Sequence, residues 1–187
     1  MGLVVGRPDC GPRDRRARRS GSAGALGDGR PLLLLTRFSI RPMERADAEA
    51  VAAWHYEPPY DFYDFQGDPE DLGELLDPAA WVDDYHAVDE DGELVGFFSF
   101  KRHGDELEFG LGLRPDLTGK AIGLEFVLAG LDYARARWSP RQLWLDVATF
   151  NDRAKKVYER AGFEATHVWL HETRQGKVEF LRMIRPA

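Results

Sequence analysis

The stretch from Glu106 to Ala134 constrains the fold more than any other. Leu107, Phe109, Leu111 and Leu113 alternate with Glu106, Glu108, Gly110 and Gly112, the period-two signature of a strand. After Pro115 the period changes. From a start near Ala121, Leu124, Val127, Leu128, Leu131 and Ala134 form an apolar helical stripe, and Pro140 bars its continuation. A strand, a glycine-containing turn and an amphipathic helix therefore follow one another directly. The paired Gly110 and Gly112 weaken the strand; such pairs mark a bulge or a place where a ligand approaches backbone.

The flanking segments extend this unit into a mixed α/β domain. Thr36 to Arg41 alternates as a first strand stopped by Pro42. Ala46 to Trp54 reads as a helix burying Ala46, Ala50, Val51 and Trp54. An aromatic loop runs from Tyr56 to Phe65, where Pro58 and Pro59 forbid a helix. A short helix is predicted between Asp68 and Leu76, with a further turn near Trp81. Tyr85 to Val88 and Glu93 to Arg102 form a hairpin about Asp91-Gly92, and His103-Gly104-Asp105 turns the chain into Glu106. Gln142 to Ala148 is a strand. Asn151 caps a helix with the stripe Ala154, Val157, Tyr158 and Ala161, and Gly162 is its C′ residue. Phe163 to Glu172 and Lys177 to Arg185 close the domain around Gln175-Gly176. The expected order is β-α-α-β-β-β-α-β-α-β-β, a single α/β domain over residues 36–187 with a mixed, mainly antiparallel central sheet flanked by helices.

Composition narrows the function classes. Hydrophobic residues make up 43% of the 187, too many for a mainly disordered chain. No apolar run approaches the roughly 18 residues that span a bilayer, so no membrane association is expected. The single Cys10 excludes an intrachain disulfide framework and a Cys-rich zinc site. The net charge of -7 is unevenly spread: residues 1–35 carry seven Arg and three Asp, and the remainder carries 18 basic and 29 acidic residues. So acidic a body repels nucleic acid and attracts cationic partners. The first 35 residues hold seven Gly, three Pro and the cluster Arg13 to Arg19, without periodicity. A disordered Arg/Gly-rich extension is expected there, inert in preference to a nucleic-acid-binding arm. Pro31 to Leu35 is a short apolar core for a signal peptide, so a cytoplasmic location is expected.

Two segments carry chemistry. Leu113-Arg114-Pro115-Asp116-Leu117-Thr118-Gly119-Lys120-Ala121-Ile122-Gly123 joins the strand to the helix. Such a turn presents unpaired N–H groups at a positive helix end, a cradle for a diphosphate; read as structure only, Gly119 relaxes the turn and Gly123 lets the helix pack closely. About 30 residues on stands Asn151-Asp152-Arg153-Ala154-Lys155-Lys156-Val157-Tyr158-Glu159-Arg160-Ala161-Gly162-Phe163. Taken alone, Asn151 is a helix cap and Tyr158 a core ring.

The second segment resembles the last motif of the GCN5-related N-acetyltransferases, the GNAT superfamily, in the spacing of its Asn, Ala, Tyr, Gly and Phe. The strand Leu143-Trp144-Leu145-Asp146-Val147 is also similar, and the resemblance covers residues 36–187. The family turn reads Gln or Arg, two residues, Gly, one residue, Gly or Ala; Thr118 and Ala121 depart from it and Gly123 matches. The resemblance implies a fold of the order given above and an acetyl-CoA-dependent N-acetyltransferase acting on a primary amine by direct attack. It implies acetyl-CoA as co-substrate, with the pyrophosphate on the N–H groups of Gly119, Lys120, Ala121, Ile122 and Gly123, and Thr118 beside them among the cofactor-binding residues. The pantetheine arm would run along the strand of Leu111 and Leu113 and bond to Asn151. Tyr158 would protonate the leaving thiolate. Strand N–H groups would hold the thioester oxygen.

Glu108 is the base candidate that the family pattern favours, set against a plain solvent-facing carboxylate; Glu106 has the same parity, and Asp146 is a second candidate. The family builds its acceptor pocket where Trp54, Tyr56, Tyr60, Asp61 and Tyr63 stand, with Phe62, Phe65, Glu57 and Asp64. Rings and carboxylates there suit a cationic amine, set against rings that pad the sheet. No metal is expected: His55, His86, His103, His167 and His171 lack ligand spacing. A homodimer stays open. The alternative function is a non-catalytic acyl-CoA-binding or sensing domain, for which Thr118 and Ala121 speak.

Overall fold

The computed structural model describes residues 37–81, 85–173 and 176–187. The expected extension over residues 1–35, the start of the first strand at Thr36 and the turn residue Gln175 lie outside the described residues.

Period-two segments give seven strands among the described residues: β1 (Ser39–Pro42), β2 (Tyr85–Glu90), β3 (Glu93–His103), β4 (Glu106–Leu113), β5 (Gln142–Ala148), β6 (Glu164–Thr173) and β7 (Gly176–Pro186). They form one sheet in the order β1-β2-β3-β4-β5-β7-β6. Neighbours are antiparallel except β4 and β5, which run parallel. Pro42 does not stop the first strand but ends it from within, opposite His86. As β1 is an edge strand, the missing N–H leaves no ladder bond unmade.

Among the described residues four helices cover the sheet: α1 (Arg45–Ala52), α2 (Pro69–Leu76), α3 (Gly123–Trp138) and α4 (Asp152–Arg160). One face packs Phe98, Phe100, Leu107, Phe109, Leu111, Leu143 and Leu145 against Phe126 and Leu131 of α3 and Ala154 and Tyr158 of α4. The other packs Phe97, Ala148 and Phe180 against α1, α2 and the aromatic loop. The loop forms 3₁₀ turns at Tyr60–Tyr63 and Phe65–Gly67. Among the described residues no helix is long and apolar enough to cross a membrane.

Three expectations are corrected. Helix α1 buries Asp47, Ala48, Val51 and Ala52, with Ala46 and Ala50 exposed and Trp54 beyond its end. An ion pair turns the helix: Arg41 reaches Asp47 through Nη1 at 2.6 Å and Nη2 at 2.8 Å, and Asp47 Oδ2 accepts from the Glu44 N–H at 2.8 Å. Helix α3 starts at Gly123 and not near Ala121, because Ala121 has φ +62° and Ile122 is the N-cap. Finally, β4 pairs with β3 from Glu106 to Leu113 without a register shift, so Gly110 and Gly112 mark no bulge. Gly112 lies opposite Phe97, whose ring stands 2.4 Å from where a Cβ would sit. A side chain there has no room.

Candidate active site

The sheet parts at its one parallel pair. β4 and β5 are bonded only from Glu106, Leu107 and Glu108 to Gln142, Leu143 and Trp144. Each stays fully paired on its other side, β4 with β3 and β5 with β7. Past Glu108 and Trp144 the strands diverge, and the β4 edge from Phe109 to Leu113 faces a gap.

Three phenols gather at the open end of that gap. Tyr56 Oη donates to the Leu113 carbonyl at 2.9 Å, and the Tyr63 hydroxyl accepts from Asn151 Nδ2 at 3.2 Å. Tyr158, on α4, is fully buried and its hydroxyl has no hydrogen-bond partner among the described residues. Burial, and then the neighbouring Tyr63 and Tyr56, push its pKa well above the ordinary phenol value. Burial also raises Tyr56, and takes Tyr63 to about 12. An unpaired buried hydroxyl costs about 1–3 kcal/mol, so Tyr158 is held at a cost that packing alone does not explain. Asn151 is fully buried and caps α4, its Oδ1 accepting from the Ala154 N–H at 3.2 Å.

The turn before α3 is closed through Thr118, whose N–H donates to the Pro115 carbonyl at 3.1 Å, and keeps its main chain open from Gly119 on. Thr118 folds back, Oγ1 donating to the Pro115 carbonyl at 2.8 Å, and so points no side-chain donor outward. Gly119 and Ala121 both have positive φ, +78° and +62°, and Gly119, Lys120 and Ala121 are exposed. No side chain caps α3 at Ile122, which leaves its first N–H groups and its positive end to a ligand. Ala121 stands where the family carries Gly, in the conformation that favours Gly. An L-residue there costs roughly 1–2 kcal/mol, offset in part by the entropy a glycine would lose. Ala121→Gly is therefore expected to stabilise the fold by about 0.5–1 kcal/mol in thermal or denaturant unfolding. The loss usual for Ala→Gly would mean that the turn is not left-handed in solution.

The closed end of the gap is polar. Glu108 is 4% exposed, so the solvent-facing reading of this residue is overturned. Burial raises its pKa to about 8; Asp146 and Glu74 add to the rise, and Lys101 and Arg182 oppose it. His103 Nε2 lies 2.9 Å from Glu108 Oε2. Glu106 is instead paired with Arg141. Asp146 is fully buried and committed: Arg182 donates to both its oxygens, at 2.9 and 2.6 Å, and Trp169 Nε1 donates to Oδ1 at 3.2 Å. The Arg182 guanidinium in turn lies 3.8 Å over the Trp144 ring. This carboxylate is part of the architecture, which removes it as a base candidate.

The aromatic loop divides in two. Tyr56 and Tyr63 are buried at the gap. Trp54 is half-buried on Phe97, with ring centroids 6.2 Å apart. Tyr60 is half-buried and its ring is covered by Arg153 at 3.8 Å; Asp61 is exposed. Asp64 braces the loop, accepting from the Tyr56 N–H and facing His55 Nδ1, each at 3.0 Å. Sequence reasoning considered His103 only as a metal ligand and passed over Arg182. The signal for His103 was present: a two-residue turn at Gly104-Asp105 sets His103 opposite Glu106, on the face of Glu108.

A sheet that splits beside a glycine turn and a capped Asn–Tyr helix defines a class. The model of the acetyltransferase (GNAT) domain matches residues 37–164, and the chain belongs to that family. A mycothiol acetyltransferase of Streptomyces coelicolor is 36% identical over 95 residues, 49% of this chain and 29% of that protein. The chain spans less than half the length of the curated relatives it matches. Among solved structures, a spermidine N-acetyltransferase chimera from Vibrio cholerae and hSSAT superposes with a TM-score of 0.67 at 20% identity, over 80% of this chain and 95% of that one. The spermidine N-acetyltransferase of Vibrio cholerae in complex with CoA and spermine gives 0.64 at 21%, over 80% and 95%. These likenesses bear out the expected fold.

Proposed function

We propose that residues 36–187 form one domain that transfers an acetyl group from acetyl-CoA to a primary amine of a small molecule or peptide by direct attack. The observation that carries this reading is the orphaned, fully buried Tyr158 hydroxyl at the gap between β4 and β5. Acetyl-CoA, when bound, supplies an activated thioester. The N–H groups from Gly119 to Gly123 suit its diphosphate, the Thr118 N–H being bonded to the Pro115 carbonyl; the β4 edge at Leu111 and Leu113, where Tyr56 holds the Leu113 carbonyl, suits the pantetheine amides, and Asn151 suits their far end. Tyr158 would donate a hydrogen bond to sulfur as negative charge develops there. Glu108 would take the amine proton. A lysine-like amine has a pKa of about 10.4, and a carboxyl raised to about 8 lies closer to it than an ordinary carboxylate.

The acceptor is read as cationic. The body beyond residue 35 has 29 acidic against 18 basic residues. Asp61 is exposed beside the half-buried Tyr60. The relatives' names specify mycothiol and spermidine, and these two give the acceptor chemistries to try first. A non-catalytic acyl-CoA sensor would share the cradle, and Thr118 and Ala121 favour it; Tyr158 does not.

Calorimetry with acetyl-CoA on wild type and Gly123→Asp tests the cradle, and acetyl-CoA consumption across an amine panel tests turnover. A carboxylate at the first helical position repels the diphosphate and forfeits a charge-assisted bond worth about 1.5–3 kcal/mol. Binding at least tenfold weaker is expected. Equal affinity for the two proteins would remove the cradle, and binding without turnover on any amine would favour the sensor.

A further inference from the structure

His103 closes β3 and Glu106 opens β4, so Lys101, His103, Glu106 and Glu108 share one face across the hairpin. The Glu108 side chain is 5% exposed and that of His103 34%. The His103 ring packs on Trp144, centroids 5.4 Å apart, at the last bonded pair of β4 and β5. A buried carboxyl therefore touches a partly exposed imidazole.

We propose that His103 is the proton outlet of Glu108, carrying to solvent the proton that Glu108 takes from the acceptor amine. The proposal rests on the acetyltransferase reading. An amine N–H bond breaks as a Glu108 carboxylate oxygen gains the proton. The carboxyl O–H bond then breaks as His103 Nε2 gains it, and the imidazolium releases a proton to water, which restores carboxylate and neutral imidazole. The charges around the pair suit an outlet. Desolvation first, then Lys101 on β3 and Arg182 on β7, lower the His103 pKa, with Glu106 on β4 opposing. The imidazolium is thus a poor resting place and sheds its proton readily. Without an outlet, the proton would leave the buried Glu108 slowly, because burial, with Asp146 on β5 and Glu74 on α2 adding to it, holds the proton there.

The pair is read in the free protein by NMR of isotope-labelled His103 through a pH titration. A curve shared with Glu108, in two steps, is expected in wild type, and a single step in Glu108→Gln. A His103 curve that Glu108→Gln leaves unchanged overturns the proposal. His103→Gln then separates an outlet from a positioning contact, because glutamine keeps an N–H donor yet cannot carry a proton. Its kcat should fall at least about tenfold, less than the 10²–10⁴-fold typical of removing an acid or base itself. Added imidazole should restore it, and acetyl-CoA affinity should not move. Full kcat in His103→Gln overturns the outlet. The NMR arm needs no turnover, so failure of wild type to acetylate any amine counts against the acetyltransferase reading and not against the pair.

Discussion

Tyr158→Phe is expected to make the protein more stable and nearly inactive. Both effects come from one hydroxyl. In the free protein it is fully buried without a hydrogen-bond partner among the described residues, so its removal should stabilise the fold by about 1 kcal/mol or more. On the acetyltransferase reading the same hydroxyl would face developing charge on sulfur, and kcat should fall by about 10²–10³. The phenol, raised well above its ordinary pKa by burial, is a weaker acid than a free thiol of pKa about 8.5. Full proton transfer to sulfur is therefore uphill, and in the proposed reaction the hydroxyl would act as a hydrogen-bond donor to a charge that grows only in the transition state. Acetyl-CoA affinity should then change little. Thermal unfolding, calorimetry and steady-state kinetics on the one variant read all three quantities. A stability loss with unchanged kcat would return Tyr158 to the role of a packed core ring.

Local signals were legible in the sequence, and long-range consequences of burial were not. The change from period two to period 3.6 placed β4 and α3, and Asn151 and Gly162 bounded α4. Alternation failed where both faces of the sheet are covered. Glu108 has the parity of a surface residue, yet that face of the sheet is covered too and the carboxyl is buried. The same blindness misplaced the α1 face: Asp47 looks solvent-bound until Arg41, six residues earlier, draws it inward. No residue pattern announces where β4 and β5 cease to pair, so the gap itself was not legible; family resemblance gave only a pantetheine arm along the strand of Leu111 and Leu113. That resemblance drew Tyr56 and Tyr63 toward the acceptor. Their hydroxyls are instead bonded to Leu113 and Asn151 at the gap.

Glu108→Gln tests that gap from its closed end, and its two effects have opposite signs. The carboxyl is raised to about 8 in the folded chain from an ordinary value of 4.5. A group raised on folding contributes stability that is fully present below its unfolded pKa. That contribution fades as pH rises through the folded value. Wild type should thus lose a few kcal/mol between about pH 4.5 and pH 8 from this group alone. The substituted amide cannot ionise, so the variant should hold its stability across that window and exceed wild type at pH 8. Turnover should behave in the opposite way. Only the carboxylate takes a proton, so wild-type kcat should climb about tenfold per pH unit toward pH 8 and then level, while the variant is slower by about 10²–10⁴ above pH 8. A deprotonating amine alone would give both proteins the same slope, and that separates the enzyme's base from the substrate's. The measurements are denaturant unfolding and kcat of both proteins from pH 5 to 9. Parallel stability curves would mean that Glu108 titrates as an exposed carboxylate, and equal kcat at pH 8 would mean that the amine proton leaves by another route.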